Sequence, residues 1–338
     1  MGLSRIRWIV VGMVTVMLAA AACDSADDST DADDGGGDDA GEVTVVTYNV
    51  LHGLPLGNCP EETEFCQAEA RLGMMWELVE SEADCPDVLA LQELAALQRE
   101  LIPPALEEVC EGKYSVVSEP VDFPVEQWVL SSLPVLDTES AVISGASRSI
   151  QWVQFDSDLG PVDFYTTHFV AGIDNLPCDE DICAPGLEAG LCDLSMETGE
   201  CNPLEALDFI DRTADPETPT ILTGDLNAEI DEDRIVTLTD TGFVDVWELA
   251  GLAECDPATG EQCTSGQDGE GPYDGLDLAE NTRGSRIDFV LARASDDCEV
   301  TVDEARTAIF AGAPFDPPVE GVYWPSDHTG VRTAIACA

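Results

Sequence analysis

The segment Thr220-Ile221-Leu222-Thr223-Gly224-Asp225-Leu226-Asn227-Ala228 runs four residues of buried-strand character into a glycine, then sets a carboxylate and a carboxamide two positions apart. Strand side chains alternate between faces, so Asp225 and Asn227 are expected to point the same way at a strand end, with Gly224 leaving room for a close approach. The pattern recurs. Asn49 lies inside the apolar run Val45 to Val50, Glu93 ends Leu89-Ala90-Leu91-Gln92-Glu93, His168 closes Val162 to Phe169, and Asp288 sits among Ile287, Phe289, Val290 and Leu291. A buried carboxylate without a partner is costly, so each of these strand ends requires a metal, a cation or several donors.

Val43 to Val50, Val88 to Gln92, the hairpin-like pair Gln151 to Phe155 and Val162 to Thr167, Thr220 to Thr223 and Ile287 to Ala292 are short, apolar and rich in β-branched residues. These features predict strands. Arg71 to Ser81 and Leu94 to Cys110 carry helical spacing. Strands outnumber helices and the helices fall between them, which points to an α/β fold of two packed sheets flanked by helices, in one domain over residues 43–338.

The leader is set apart from that domain. Arg5 and Arg7 precede an apolar run from Trp8 to Ala22 that ends in small residues, the pattern of a secretory signal over residues 1–22. Leu18 to Cys23, LAAAAC, resembles a bacterial lipobox with Ala20 where leucine is usual, and Cys23 is then the lipidated first residue of an exported, membrane-anchored protein of the cell envelope. Ordinary signal cleavage and an uncleaved anchor are the alternatives. Residues 23–42 follow as an acidic Asp, Ser, Thr, Ala and Gly tether that cannot bury enough apolar surface to fold.

Setting Cys23 aside from the 13 cysteines leaves an even number, which suits disulfides in an oxidising compartment. Cys59 with Cys66, Cys178 with Cys183, Cys192 with Cys201, and Cys255 with Cys263 each bracket a short loop, so local bridges are expected, although sequence alone leaves the connectivity open. No CxxC pair occurs and the three histidines, His52, His168 and His328, lie elsewhere, which argues against zinc.

TYNVLHG, DVLALQE, TTHF, GDLNA, RIDFVL and PSDHTGV occur in the order and approximate spacing of the endonuclease/exonuclease/phosphatase superfamily, and the chain resembles that family from Val43 to Ala336. Val129 to Val135 is similar to a further family segment, with serine where arginine is common. The resemblance implies a four-layer sandwich, two central mixed β-sheets between outer helices, with the site at one end. It also implies a Mg2+ site, with Mn2+ as a substitute, formed by Asn49 and Glu93 joined by Asp327, a donor set of hard oxygens. In that reading Asp225 orients or deprotonates the attacking water, Asn227 holds the water or a phosphate oxygen, and His168 and His328 face the phosphoryl oxygens as protonated donors. Asp288 accepts a hydrogen bond from His328, and Arg148 falls where a phosphate-contacting arginine is common. The implied reaction is hydrolysis of a phosphate ester by water, catalysed by a monomer. An extracellular nuclease and an inactive surface-binding protein are the alternatives. His52 either lines the pocket or is a solvated loop residue, and the acidic loop from Gln267 to Leu278 reads as solvated rather than as a calcium loop.

Charge ranks the substrates. The chain has 13 Lys and Arg against 69 Asp and Glu, two of the basic residues, Arg5 and Arg7, belong to the leader, and Lys113 is the sole lysine. Nucleic-acid binding relies on cations that neutralise phosphates, so a small phosphoester or a lipid head group is expected ahead of DNA. High salt weakens this argument, since the Debye length falls to about 3 Å at 1 M.

Overall fold

The computed structural model describes residues 41–52, 67–118, 125–172, 175–178, 183, 191–192, 195–267 and 275–338. The expected signal 1–22, Cys23 and the tether up to residue 40, together with Cys59, Cys66 and residues 268–274 of the acidic loop, lie outside the described residues.

The first sheet is built around β1 (Glu42–Asn49), which pairs in parallel with β2 (Val88–Ala95) and antiparallel with the last strand, β13 (Gly330–Cys337). Outward from β2 lie β4 (Val125–Ser131) and β3 (Ser115–Val116), while β11 (Val300–Val302) and β12 (Ala308–Phe310) both pair with β13. The second sheet has the order β5 (Val135–Val142), β6 (Ser149–Ser157), β7 (Gly160–His168), β8 (Thr220–Asp225), β10 (Asp288–Arg293), β9 (Val244–Asp245). Only β7 and β8 are parallel in it, so both sheets are mixed. β5 is an edge strand among the described residues.

Side-chain alternation divides each strand between two apolar layers. Val43, Val45, Val88 and Ala90 of the first sheet meet Val153, Phe155, Val162, Phe164, Ile221 and Val290 of the second in the space between the sheets. On the outer face of the first sheet, Val46, Tyr48, Leu89 and Leu91 pack with Leu72, Met75 and Val79 of α1 (Ala68–Ser81) and Ile102 of α2 (Ala96–Ala105). On the outer face of the second, Tyr165, Leu222, Phe289 and Leu291 pack with Phe209 and Ile210 of α3 (Thr198–Thr213) and with Ile235 and Leu238 of α4 (Asp233–Thr239). The result is the expected four-layer sandwich. Each buried Val, Leu, Ile or Phe contributes about 1.5–3 kcal/mol through surface removed from water.

The second helix is shorter than its spacing suggests. Pro103 and Pro104 remove two backbone donors in its last turn, and after Ala105 the chain tightens into a 3₁₀ turn over Val109–Gly112. There Cys110 is bonded to Cys85, a partner that lies outside the local pattern of loops. The expected bridges Cys178–Cys183, Cys192–Cys201 and Cys255–Cys263 are formed, and Cys298–Cys337 ties β13 to the loop before β11. Such a set belongs to a chain that matures in an oxidising compartment.

Candidate active site

Between the sheets, the inward face of each central strand changes character along its length. β1 runs Val43, Val45, Thr47, Asn49; β7 runs Val162, Phe164, Thr166, His168; β8 runs Ile221, Thr223, Asp225; and β10, read backwards, runs Ala292, Val290, Asp288. Apolar residues give way, through a threonine step on β1, β7 and β8 and directly on β10, to amide and ionisable groups, all at one end of the sandwich. Register fixes the second sheet's share, because His168 is the Cα partner of Asp225 and Asp225 is the Cα partner of Asp288. Gln92 joins the threonine step across the two sheets, donating from Nε2 to Thr47 Oγ1 at 3.1 Å and Thr166 Oγ1 at 3.2 Å.

Glu93 arrives differently. Strict alternation would aim it at the helices, but the β2–β4 register shifts between Leu91 and Leu94 and Glu93 takes φ +64°, a bulge that turns its carboxylate back to the site. Its Oε1 accepts from Asn49 Nδ2 at 3.2 Å and its Oε2 from the backbone N–H of His52 at 3.2 Å, so the His52 segment lines the site. The same Asn49 amide donates to Asp225 Oδ2 at 3.0 Å, which couples the two sheets at their polar end.

At the centre stand Asp225, Asp288 and His328, with ligand-capable atoms within 4.8 Å of one another. His328 Nδ1 and Asp288 Oδ2 are 2.9 Å apart, and His328 Nε2 faces Asp225 Oδ2 at 3.8 Å and Ser265 Oγ at 3.5 Å. Burial opposes charge on His328, but Asp288, Asp225 and Asp327 outweigh it and hold the imidazole protonated well above its ordinary pKa. Burial, reinforced by Asp288 and resisted by His328 and the Asn49 hydrogen bond, raises the Asp225 carboxyl to about 7. An acid and a base therefore face each other with their pKa values displaced.

The two histidines, expected as a pair of protonated donors, differ. His168 Nε2 lies 3.4 Å from Asp225 Oδ2, yet burial and the Arg148 guanidinium depress its pKa well below the usual value despite Glu93. His168 is neutral where His328 is charged. The room expected beside Gly224 is likewise filled by protein: at φ +140°, a Cβ there would lie 1.8 Å from the Thr167 carbonyl oxygen, so glycine lets β7 and β8 close on each other. Beyond the strand end, Asn227 at φ +47° donates its backbone N–H to Asp225 Oδ1 at 3.0 Å and its amide to the Phe169 carbonyl at 3.0 Å. Arg148 Nε shares that carbonyl at 3.1 Å, which brings Arg148 to the rim.

The donors fit a hard divalent cation such as Mg2+ or Mn2+. Burial would raise the Glu93 pKa, but His168, His52 and His328 with the Asn49 hydrogen bond bring it to about 2, so this partly open carboxylate stays ionised. Asp288 Oδ1 is fully buried with no hydrogen-bond partner among the described residues, so this oxygen is left uncompensated by donors. Asn49 Oδ1 accepts from Leu51 N at 3.0 Å and keeps its second lone pair, while Asp327 connects to Asn49 through the Ser326 hydroxyl, 2.7 Å from the Asn49 carbonyl and 3.2 Å from Asp327 Oδ1. Burial raises the Asp327 pKa, partly offset by His328.

Several supporting residues escape sequence reasoning. Thr264 Oγ1 accepts from the N–H groups of Ile287 and Asp288 at 3.0 and 3.1 Å, and Arg286 pairs with Asp245 at 2.7 Å and Glu254 at 2.8 Å behind Asp288. A long-range arginine is visible in sequence, but its partners are not.

No curated protein sequence matches the chain. Among solved structures, D. rerio TDP2 complexed with single-strand DNA product aligns at 18% identity and TM-score 0.57, over 87% of this chain and 98% of that one. The mannosyl-6-phosphatase of Bacteroides thetaiotaomicron aligns at 15% identity and TM-score 0.58 over 87% and 99%, and an endonuclease/exonuclease/phosphatase from Beutenbergia cavernae at 18% and 0.54 over 88% and 72%. These likenesses concern the fold. The sequence pattern of the Endonuclease/Exonuclease/phosphatase family matches residues 46–328, the stretch that runs from the first inward-facing strand to His328, and the chain therefore belongs to that family.

Proposed function

We propose that the protein is an exported, lipid-anchored, Mg2+-dependent phosphoesterase that hydrolyses a small phosphoester or a zwitterionic lipid head group. The observation that carries the reaction class is the facing of Asp225, poised near neutrality, and the charged His328 across 3.8 Å at the joined ends of the two sheets. Asp225 takes the proton of the attacking water, and Asn227 fixes Oδ1 of that carboxylate through its backbone N–H. His328 donates from Nε2 to the phosphoryl oxygen, where negative charge builds, while Asp288 retains the Nδ1 proton and keeps the ring oriented. His168 donates as a neutral imidazole, and Arg148 contacts the phosphate from the rim. A divalent cation held by Glu93, Asn49 and Asp327 supplies Lewis-acid polarisation of the ester. Water attacks directly, with no covalent intermediate.

The fate of the cations supports the substrate ranking. Arg71 and Arg283 donate to backbone carbonyls in the interior, Arg286 pairs with carboxylates, and Arg212, Arg293, Arg306 and Arg332 each face an acidic partner. Little positive charge is left to track a nucleic-acid backbone. The export signal, the Cys23 anchor and a monomeric state complete the reading; the disulfides support export. The test is a phosphate-release and product assay of residues 43–338 on duplex DNA, RNA, inositol phosphates and sphingomyelin at low salt. Small or lipid phosphoesters are expected to give the highest kcat/KM. Plasmid DNA as the best substrate would make the protein an extracellular nuclease, and no turnover with any substrate would favour a surface-binding role.

A further inference from the structure

The loop that carries Asp327 and His328 belongs to no sheet among the described residues, and besides one bond from the Gln267 N–H to the Asp327 carbonyl its carbonyls are met one after another by two buried guanidinium groups. Arg71, on α1 and 2% exposed, donates from Nη1 to the Pro325 carbonyl at 3.0 Å. Arg283, with no exposed surface, donates from Nη2 to the Ser326 and His328 carbonyls at 3.1 and 3.2 Å and from Nε to the Asp327 carbonyl at 3.3 Å. The guanidinium of Arg283 stacks 4.4 Å over the Trp324 ring, and no carboxylate lies within ion-pair distance of it among the described residues. Arg71 also reaches the loop after Asn49, donating to the Val50 carbonyl at 2.7 Å and the Leu51 carbonyl at 3.0 Å.

We propose that Arg71 and Arg283 are positioning residues that clamp the carbonyls of residues 325–328 and 50–51, holding the segment that follows Asn49 and the loop of Asp327 and His328 against the strand-fixed Asp225 and Asp288. Three arguments carry this. A buried cation is costly unless its donors are satisfied, and here most of the Arg283 donors and one of the Arg71 donors go to carbonyls of the loop that presents two expected site residues. Three carbonyls in different directions match the planar fork of a guanidinium, which a lysine ammonium cannot reproduce. The clamp also explains why a chain with 13 basic residues against 69 acidic ones buries Arg71 and Arg283 against carbonyls, where the third buried arginine, Arg286, has carboxylate partners. Burial lowers the Arg283 pKa to about 10, so it remains a cation at neutral pH.

The role in turnover rests on the phosphoesterase reading, whereas the clamp itself is measurable without it. Hydrogen exchange of the folded domain carrying Arg283→Lys should show the amides of residues 326–329 exchanging about tenfold faster or more, with the strands unchanged. Arg71→Lys should loosen residues 50–52 and 325–326 together. On the substrate found by the panel, a misplacement of about 1 Å costs on the order of 10²-fold in rate, so kcat should fall roughly 10- to 100-fold with KM moved less than threefold. Arg283→Ala should regain exchange protection and turnover with millimolar guanidinium. Folded lysine variants with unchanged exchange, or with kcat within twofold of the parent, overturn the clamp. Loosened loops in a protein whose parent turns over no substrate leave the clamp standing and remove the phosphoesterase reading instead.

Discussion

The two sheets hold their shares of the site by different means. In the second sheet, His168, Asp225 and Asp288 occupy one register row of three neighbouring strands, so the backbone ladder itself sets their spacing. In the first, only Asn49 is held by the ladder in the same way; Glu93 depends on a bulge and a positive φ, and Asp327 and His328 lie on a loop ahead of β13 that side chains tie down. Ladder-held groups cannot drift without breaking paired strands, whereas loop-held groups can shift by tenths of an ångström. The first arrangement fixes the Asp225 carboxylate, whereas the second leaves His328, which faces it across 3.8 Å, dependent on how its loop is held.

Chelation tests the proposed cation site, in the loop-held half, most severely. Excess chelator is expected to abolish turnover, and Mg2+ or Mn2+ to restore it; full activity in chelator would show that Glu93 and its neighbours hold no catalytic metal. Next in size, Asp225→Asn and His328→Gln should each lower kcat by roughly 10²–10⁴-fold with the far-ultraviolet circular dichroism unchanged. Retention of more than a tenth of the activity in either would remove the acid–base assignment.

Asp288→Asn sharpens the comparison through pH. His328 must be charged to donate, so activity is lost as pH rises through its pKa, which Asp288 raises. The variant should therefore lose activity at lower pH than the parent, its basic limb shifted toward neutrality. An unmoved limb would mean that another group sets it. The smallest effect is expected away from the chemistry: Gly224→Ala forces β8 from the Thr167 carbonyl and should cost about 1–3 kcal/mol in a urea unfolding curve. Unchanged stability would show that the row tolerates separation.

The same contrast governs what could be read in the sequence. A period of two is written directly in the chain, so the strands bearing Asn49, His168, Asp225 and Asp288 were legible, as was the α/β sandwich they imply. The direction of Glu93 was not, because a bulge is set by pairing with a distant strand. The carbonyl partners of Arg71 and Arg283 are separated from them by up to 254 positions and carry no local signature. Helix α3 went unseen because its first turns contain Gly199, Cys201, Asn202 and Pro203, residues that read as a loop until the apolar Ala206, Phe209 and Ile210 find the second sheet. Opposite protonation of the two histidines likewise depends on neighbours that only the fold assembles.

The open edge of the second sheet has a consequence for how copies behave when crowded. β5 pairs on one side only among the described residues and exposes Val135, Leu136 and Val142, the makings of a template on which a second strand could grow. Asp137 and Glu139 stand on the same strand, and a register shift between Val135 and Asp137 bends its start. Mutual repulsion and a bent rim thus discourage edge-to-edge association at neutral pH. The repulsion that guards this edge also draws on the chain's overall negative charge, which vanishes at the isoelectric point of about 4.1, so self-association at the edge is opposed least there.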